Sequence, residues 1–259
     1  MRRSLILCIV LFPSVFVFAS RAQAQSGFGA GVRGMYWFPD LSATAQSVIN
    51  STPETQFNLK TDLGINDENF PSGEVFLRFG RLHLRAGYTK LSYDGSSTLT
   101  KDIVFNGQIF PVNDNVISSF DVKMLDAEVQ VDVLRPDFVG ASLYLGLVGK
   151  VKFLDVDLTL SSSSTAMSEN QSFRVPVPMF GLAAGAGFLH NVLRVDARGT
   201  GMAYSGNHIY EVDAYASIVP FPFLRLQGGY RYLDFKVDED DFLADVRLSG
   251  PYIGAQLSF

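Results

Sequence analysis

Imidazoles are the side chains that titrate near neutral pH, and this chain of 259 residues has three: His83, His190 and His208. His208 stands in the stretch YSGNHIYE, three residues from Ser205 and three from Glu211. A hydroxyl, an imidazole and a carboxylate are the parts of a nucleophilic hydrolase: the ring takes the hydroxyl proton and the carboxylate orients the ring. Any polar loop offers the same spacing, so the expectation is a solvated loop with no catalytic residue. His83 and His190 are expected near strand ends, in turns or against a polar wall. A second group is KVDEDDF, where Asp238, Glu239, Asp240 and Asp241 present oxygen ligands of the kind Ca²⁺ takes,. The stretch lacks the alternating spacing and the glycine of an EF-hand loop, and it reads as a solvated acidic loop without a metal. GLAAGAG, residues 181–187, is not followed by the Lys-Ser/Thr of a phosphate-binding loop,; it reads as a strand with small side chains. No catalytic, cofactor-binding or metal-binding residue is assigned on these grounds.

The N-terminal MRRSLILCIVLFPSVFVFASRAQAQ combines Arg2 and Arg3, an apolar run over 5–19 and the small-x-small site Ala22-Gln23-Ala24. That is the pattern of a cleaved secretory signal peptide over 1–24, and the run is short for a spanning helix of about 20 residues. Cys8, the single cysteine, lies inside it. The expected mature chain, 25–259, has no disulfide. Losing Arg2, Arg3 and Arg21 takes the formal charge from −5 to −8, which argues against nucleic acid as a partner.

The mature chain shows no helical period and no linker. It shows period-2 alternation instead. Residues 27–38 form a first strand ending in Met35-Tyr36-Trp37-Phe38; 74–79 and 82–93 flank a turn at Gly80-Arg81. Leu125, Ala127, Val129, Val131 and Val133 alternate with Asp126, Glu128, Gln130 and Asp132, and 141–153 alternate likewise. Further runs fall at 173–188, 193–198, 210–216, 224–231 and from near 243 to the end. Short connections at 80–81, 134–138, 190–191 and 220–222 alternate with longer ones, as in barrels with short turns at one end and long loops at the other. The runs reach the length of about 9–11 residues that a tilted spanning strand needs. Only helices and closed barrels satisfy backbone groups in lipid. The expected fold is therefore all-β, a closed antiparallel up-and-down transmembrane β-barrel of ten strands, with eight or twelve as alternatives. Residues 43–50, 56–62 and 98–110 are expected as hairpins extending above the membrane.

The chain ends GPYIGAQLSF, with Ile253, Ala255, Leu257 and Phe259 on one strand face and Tyr252, Gly254, Gln256 and Ser258 on the other. The terminal Phe259 resembles the C-terminal aromatic signal of outer-membrane barrels. GYRYLDF (229–235) before an acidic loop and the final SGPYIGAQLSF is similar to the ends of small Gram-negative outer-membrane β-barrel proteins of the OmpA/OmpW-like and opacity-protein-like kinds. That resemblance implies location in the cell outer membrane, contact with outer-membrane lipid and lipopolysaccharide, and assembly by the barrel assembly machinery through Phe259. It implies no reaction.

If the apolar faces meet lipid, the lumen receives nine basic groups (Arg78, Arg85, Lys150, Lys152, Arg194, Arg198, Arg225, Arg231, Arg247) and eight acidic ones (Glu74, Asp126, Glu128, Asp132, Asp196, Glu211, Asp213, Asp245). In a narrow barrel such charges must pair, so the expected role is a monomeric structural or surface-interaction protein with a salt-bridged lumen and no cofactor. A narrow channel for small solutes, with a gap near Tyr144, Tyr215 and Gly229, is the alternative; a hydrolase is the third.

Overall fold

The computed structural model describes residues 27–259 apart from 50, 51, 54, 166, 240 and 241. The expected signal peptide with Cys8, and Asp240 and Asp241 of the acidic loop, lie outside the described residues. Among the described residues the elements are strands: β1 (Phe28–Trp37), β2 (Asp40–Ile49), β3 (Thr52–Pro53), β4 (Phe57–Asn58), β5 (Phe70–Phe79), β6 (Leu82–Thr98), β7 (Ile103–Phe105), β8 (Gln108–Phe110), β9 (Asn115–Leu134), β10 (Asp137–Phe138), β11 (Ala141–Ser162), β12 (Ser168–Phe188), β13 (Leu193–Tyr204), β14 (Asn207–Phe221), β15 (Leu224–Glu239) and β16 (Phe242–Ser258).

Ten of them close a barrel in the order β1, β5, β6, β9, β11, β12, β13, β14, β15, β16, each antiparallel to its neighbours. β16 returns to β1, from Gly31 opposite Ser258 to Trp37 opposite Tyr252. Phe259 extends this seam by exchanging both backbone hydrogen bonds with Ala30. The short connections lie together at what we term the turn end. Gly80 there has φ +59°, the left-handed value that a II′ hairpin needs at its first central residue. At the opposite, head end, Ser205 and Gly206 both have positive φ, as a I′ turn requires.

The polarity of the alternation inverts partway up the long strands. In the half of β11 nearest the turns, Leu143, Leu145, Leu147, Val151 and Phe153 point outward and are exposed, while Lys150 and Lys152 point inward and are buried. Above Phe153 the polarity inverts without a bulge: Leu154, Val156, Leu158 and Leu160 are buried, and Asp155, Asp157 and Thr159 take the outer face. β9 inverts at Met124-Leu125, where Val116, Phe120, Val122 and Met124 face in above Asp126 and Glu128. The barrel thus has two storeys. The lower one is apolar outside and polar inside, with aromatics such as Phe28 and Phe79 (ring centroids 5.1 Å apart) at the turn end and Tyr36, Tyr88, Tyr210 and Tyr230 at its upper rim, the girdles of a spanning barrel. The upper one, the head, is polar outside and apolar inside, like a water-soluble sandwich. Its core gathers Leu91, Tyr93, Phe120, Val156, Leu158 and Phe235 from the walls with Phe57, Leu63, Phe105 and Phe110 from the connections.

Above Trp37 the chain kinks at Phe38-Pro39 and β2 continues along β16, from Asp40 opposite Ser249 to Ser47 opposite Phe242. β2 is therefore a second storey of wall. Residues 57–65 fill the gap between it and β6: β4 pairs with β2 at Thr44 and Ala45, and Ile65 bridges to Gly95. Asp67 holds this strap, accepting the Leu41 amide at 2.8 Å and the Lys60 ammonium at 2.7 Å; Lys60 also pairs with Asp40. β7 and β8 form the hairpin expected within 98–110, and of 43–50 the part in β2 joins the wall instead.

Candidate functional site

Among the described residues, charged side chains converge in the interior at the lower lumen. β11, β14 and β15 project Lys150, Lys152, Glu211 and Arg231 toward one another. Glu211 accepts Lys150 Nζ at 2.6 Å, Arg231 Nη2 at 2.8 Å and Lys152 Nζ at 3.2 Å. Asp126 takes Lys152 at 2.7 Å. Beside them Asp213 meets Arg33 at 3.2 Å and Arg198 at 3.3 Å, and accepts the Tyr252 hydroxyl at 2.6 Å. Glu128 meets Arg85 at 2.6 Å and Arg198 at 2.9 Å. Every carboxylate here carries more than one donor, which is the condition for keeping charge out of water. Arg231 lies 4.9 Å over the Trp37 ring, where the ion layer meets the apolar storey.

The lumen membership expected from sequence holds with three changes. Asp245 and Arg247 are exposed on the outer face of β16, because they stand above the phase change, where Ala244, Val246 and Leu248 face in. Arg33, on β1, is a lumen residue; its alternation with Gly31 and Met35 carried the signal, hidden because glycines obscure which face of a strand is polar. The lumen therefore has nine basic groups and seven carboxylates rather than eight, with His83 against Asp132 at 3.0 Å.

His208 and Glu211 lie on opposite faces of β14. Glu211 is in the ion layer, whereas the His208 ring sits outside, 3.2 Å from Asp234, stacked on Tyr210. Asp234 also accepts Tyr232 Oη at 2.6 Å and Arg247 Nε at 3.0 Å. Ser205 is in the exposed turn and no hydrogen bond joins it to His208 among the described residues. His190 is a turn residue with φ +56°. Residues 181–187 lie in β12 as expected; a Cβ on Gly185 would meet the Tyr144 ring at 2.4 Å. Asp238 and Glu239 end β15.

Below the ion layer a cavity of about 420 Å³ opens at the turn end, reaching from Tyr144, Tyr215 and Arg33 down to Asn191 and Phe223. Within the ion layer the free space is about 30 Å³, roughly a single water. Of the gap expected near Tyr144, Tyr215 and Gly229, the tyrosines line the lower cavity, while Gly229 is packed: a Cβ there would meet Ala214 O and Tyr215 Cβ at 2.6 Å.

A closed up-and-down barrel with an apolar girdle and a charged interior is a β-barrel of the outer-membrane class. Within that class the chain is similar in fold to the outer membrane protease OmpT of Escherichia coli, with TM-score 0.55 and 8% identity over 90% of this chain and 96% of that one. Neisserial surface protein A aligns over 90% and 98% of the two chains at TM-score 0.37 and 14% identity. Ail, the attachment invasion locus protein of Yersinia pestis, aligns over 90% and 99% at TM-score 0.34 and 13% identity. At these identities the likeness is one of fold alone. No protein-family model and no curated protein matches the chain.

Proposed function

We propose that the chain is an integral protein of the Gram-negative outer membrane, exported with residues 1–24 cleaved, whose barrel anchors a rigid β-structured head at the cell surface in a structural or recognition role without a through-passage. The observation that carries this reading is the double closure of the lumen. The ion layer around Glu211 and Asp213 fills the middle of the barrel, and the apolar storey of Leu154, Val156, Leu158, Phe120 and Phe235 fills its top. An ion crossing would have to break buried pairs and then shed its hydration to enter an apolar core, each step costing several kcal/mol. In this reading the turns are periplasmic, the girdle touches lipid and lipopolysaccharide, and Phe259 at the closing seam is the signal for the assembly machinery. The protease activity of OmpT belongs to that protein; with His208 outside the barrel wall and Glu211 inside it, the YSGNHIYE stretch supports no nucleophile here.

The test is single-channel recording of the refolded mature chain in a planar bilayer, with heat-modifiable gel migration to establish folding. Folded protein that gives no discrete steps is the expected result. Reproducible steps would sink the closed-lumen reading and restore the narrow channel.

A further inference from the structure

The lumen's surplus of two positive charges has an address. Seven of its nine basic groups are ion-paired, and the two that are not, Arg78 on β5 and Arg225 on β15, both line the cavity at the turn end. Neither makes an ion pair or side-chain hydrogen bond among the described residues, and Arg225 Nε is buried without an acceptor. Arg194 lines the same cavity but is satisfied: Asp196 accepts it at 3.0 Å and its guanidinium lies 5.8 Å over the Tyr144 ring. Arg135, also lining it, donates to Gly80 O at 3.0 Å. Directly above Arg225 on the inner face, Gln227 and Ser217 are buried with their side-chain polar atoms unpartnered.

Like-charged guanidiniums gathered in a partly desolvated cavity are unfavourable unless an anion joins them. Arginine's planar fork fits the paired oxygens of a carboxylate or phosphate. The rest of the cavity wall mixes the rings of Phe76, Tyr144, Tyr215 and Phe223 with polar groups, among them the carboxylates Glu74, Asp132 and Asp196, each paired with a basic side chain, and Asp137 at the mouth. A volume of about 420 Å³ falls within the range of small-molecule sites,. We infer that this vestibule is a binding site for a small organic anion, with a carboxylate or phosphate head held by Arg78 and Arg225 and a flat apolar body against the rings of Phe76, Tyr144, Tyr215 and Phe223. The ligand enters from the turn end, so the site is independent of whether the lumen conducts.

The probes are benzoate and phenyl phosphate, with benzyl alcohol as the neutral control and inorganic phosphate as the bare anion, each titrated against the folded protein in detergent while the thermal midpoint and binding heat are followed. Saturable stabilisation by the two aromatic anions, at least tenfold weaker for benzyl alcohol and inorganic phosphate, is expected. In R78Q/R225Q the apparent affinity should fall at least tenfold, and R78K/R225K should fall between, since lysine keeps the charge but not the fork. Without ligand, R225Q should unfold at the same temperature as wild type or higher, because it removes repulsion; a purely structural arginine would give a lower one. No saturable binding by either aromatic anion, or binding unchanged in R78Q/R225Q, overturns the assignment. Equal affinity for inorganic phosphate overturns its organic part.

Discussion

Glu211 shows how much one side chain in the ion layer holds. It is the shared acceptor for Lys150, Lys152 and Arg231, so Glu211→Gln leaves three buried cations short of a counter-charge. Breaking a buried pair from one side costs about 3–5 kcal/mol, and the variant should unfold at correspondingly lower denaturant in detergent micelles. Adding Lys152→Met removes the deepest of the stranded charges and should recover part of that loss. A double variant no more stable than Glu211→Gln alone would show that Lys152 is not coupled to Glu211. The same logic explains why the members of the ion layer, Arg33 apart, were legible in the sequence while their partners were not: alternation reveals which residues face in, whereas pairing across the lumen, such as Arg33 with Asp213 across 180 positions, depends on how the barrel closes.

At the scale of the strand, β11 crosses from lipid-facing to water-facing without interrupting its hydrogen bonds. An arginine placed at Leu147 should cost about 2–4 kcal/mol when folding into vesicles, as for outward positions at mid-membrane. The same residue at Thr159 should change stability by less than about 0.5 kcal/mol, as at an ordinary surface site. Equal penalties at both would mean that the head, too, is embedded. The phase change was visible in the sequence as adjacent apolar pairs, Met124-Leu125 and Phe153-Leu154. A period-2 test that assigns one polarity to a whole strand passes over them, and that is why Asp245 and Arg247 were expected inside. The ten barrel strands, the turn at 80–81, the short connections near 190–191 and 220–222 and the closing role of the C-terminus were legible, because each rests on local pattern; the turn expected over 134–138 falls instead at Val139-Gly140, after Asp137 and Phe138 pair with β11. That residues 57–65 seal the wall was not, since the strap follows from Pro39 carrying β2 upward along β16. The strap is also pH-sensitive. Partial burial works to raise the Asp67 carboxyl, but the Leu41 amide and the Lys60 ammonium outweigh it and hold the pKa below the ordinary carboxylate value. A depressed pKa stabilises the strap above the unfolded value near pH 4 and loses that contribution as pH falls through the folded one. Limited proteolysis within 55–67 should therefore accelerate at pH 3 relative to pH 6, and Asp67→Asn should show the faster cleavage already at pH 6.

For the molecule as a whole, the head is a continuation of the barrel rather than a set of loops. Its interior residues, Leu158, Leu160 and Val122 among them, are fully buried, and backbone opening there would expose apolar surface worth about 1.5–3 kcal/mol per side chain. Hydrogen exchange in nanodiscs should find the amides of β11 above Phe153 protected to the same order as those below it. Exchange within seconds across the head, with protection only in the girdle, would contradict a packed surface domain. The closing seam has a consequence of its own. β16 is zipped to β1 over its lower half and to β2 over its upper half, so first and last strands are joined along nearly the whole height of the wall. Sideways escape of a molecule from the interior into the bilayer needs a seam that unzips from a free end, and here the upper end is clamped by β2 and the lower by the Ala30–Phe259 exchange. Whatever enters the vestibule leaves by the mouth it came through.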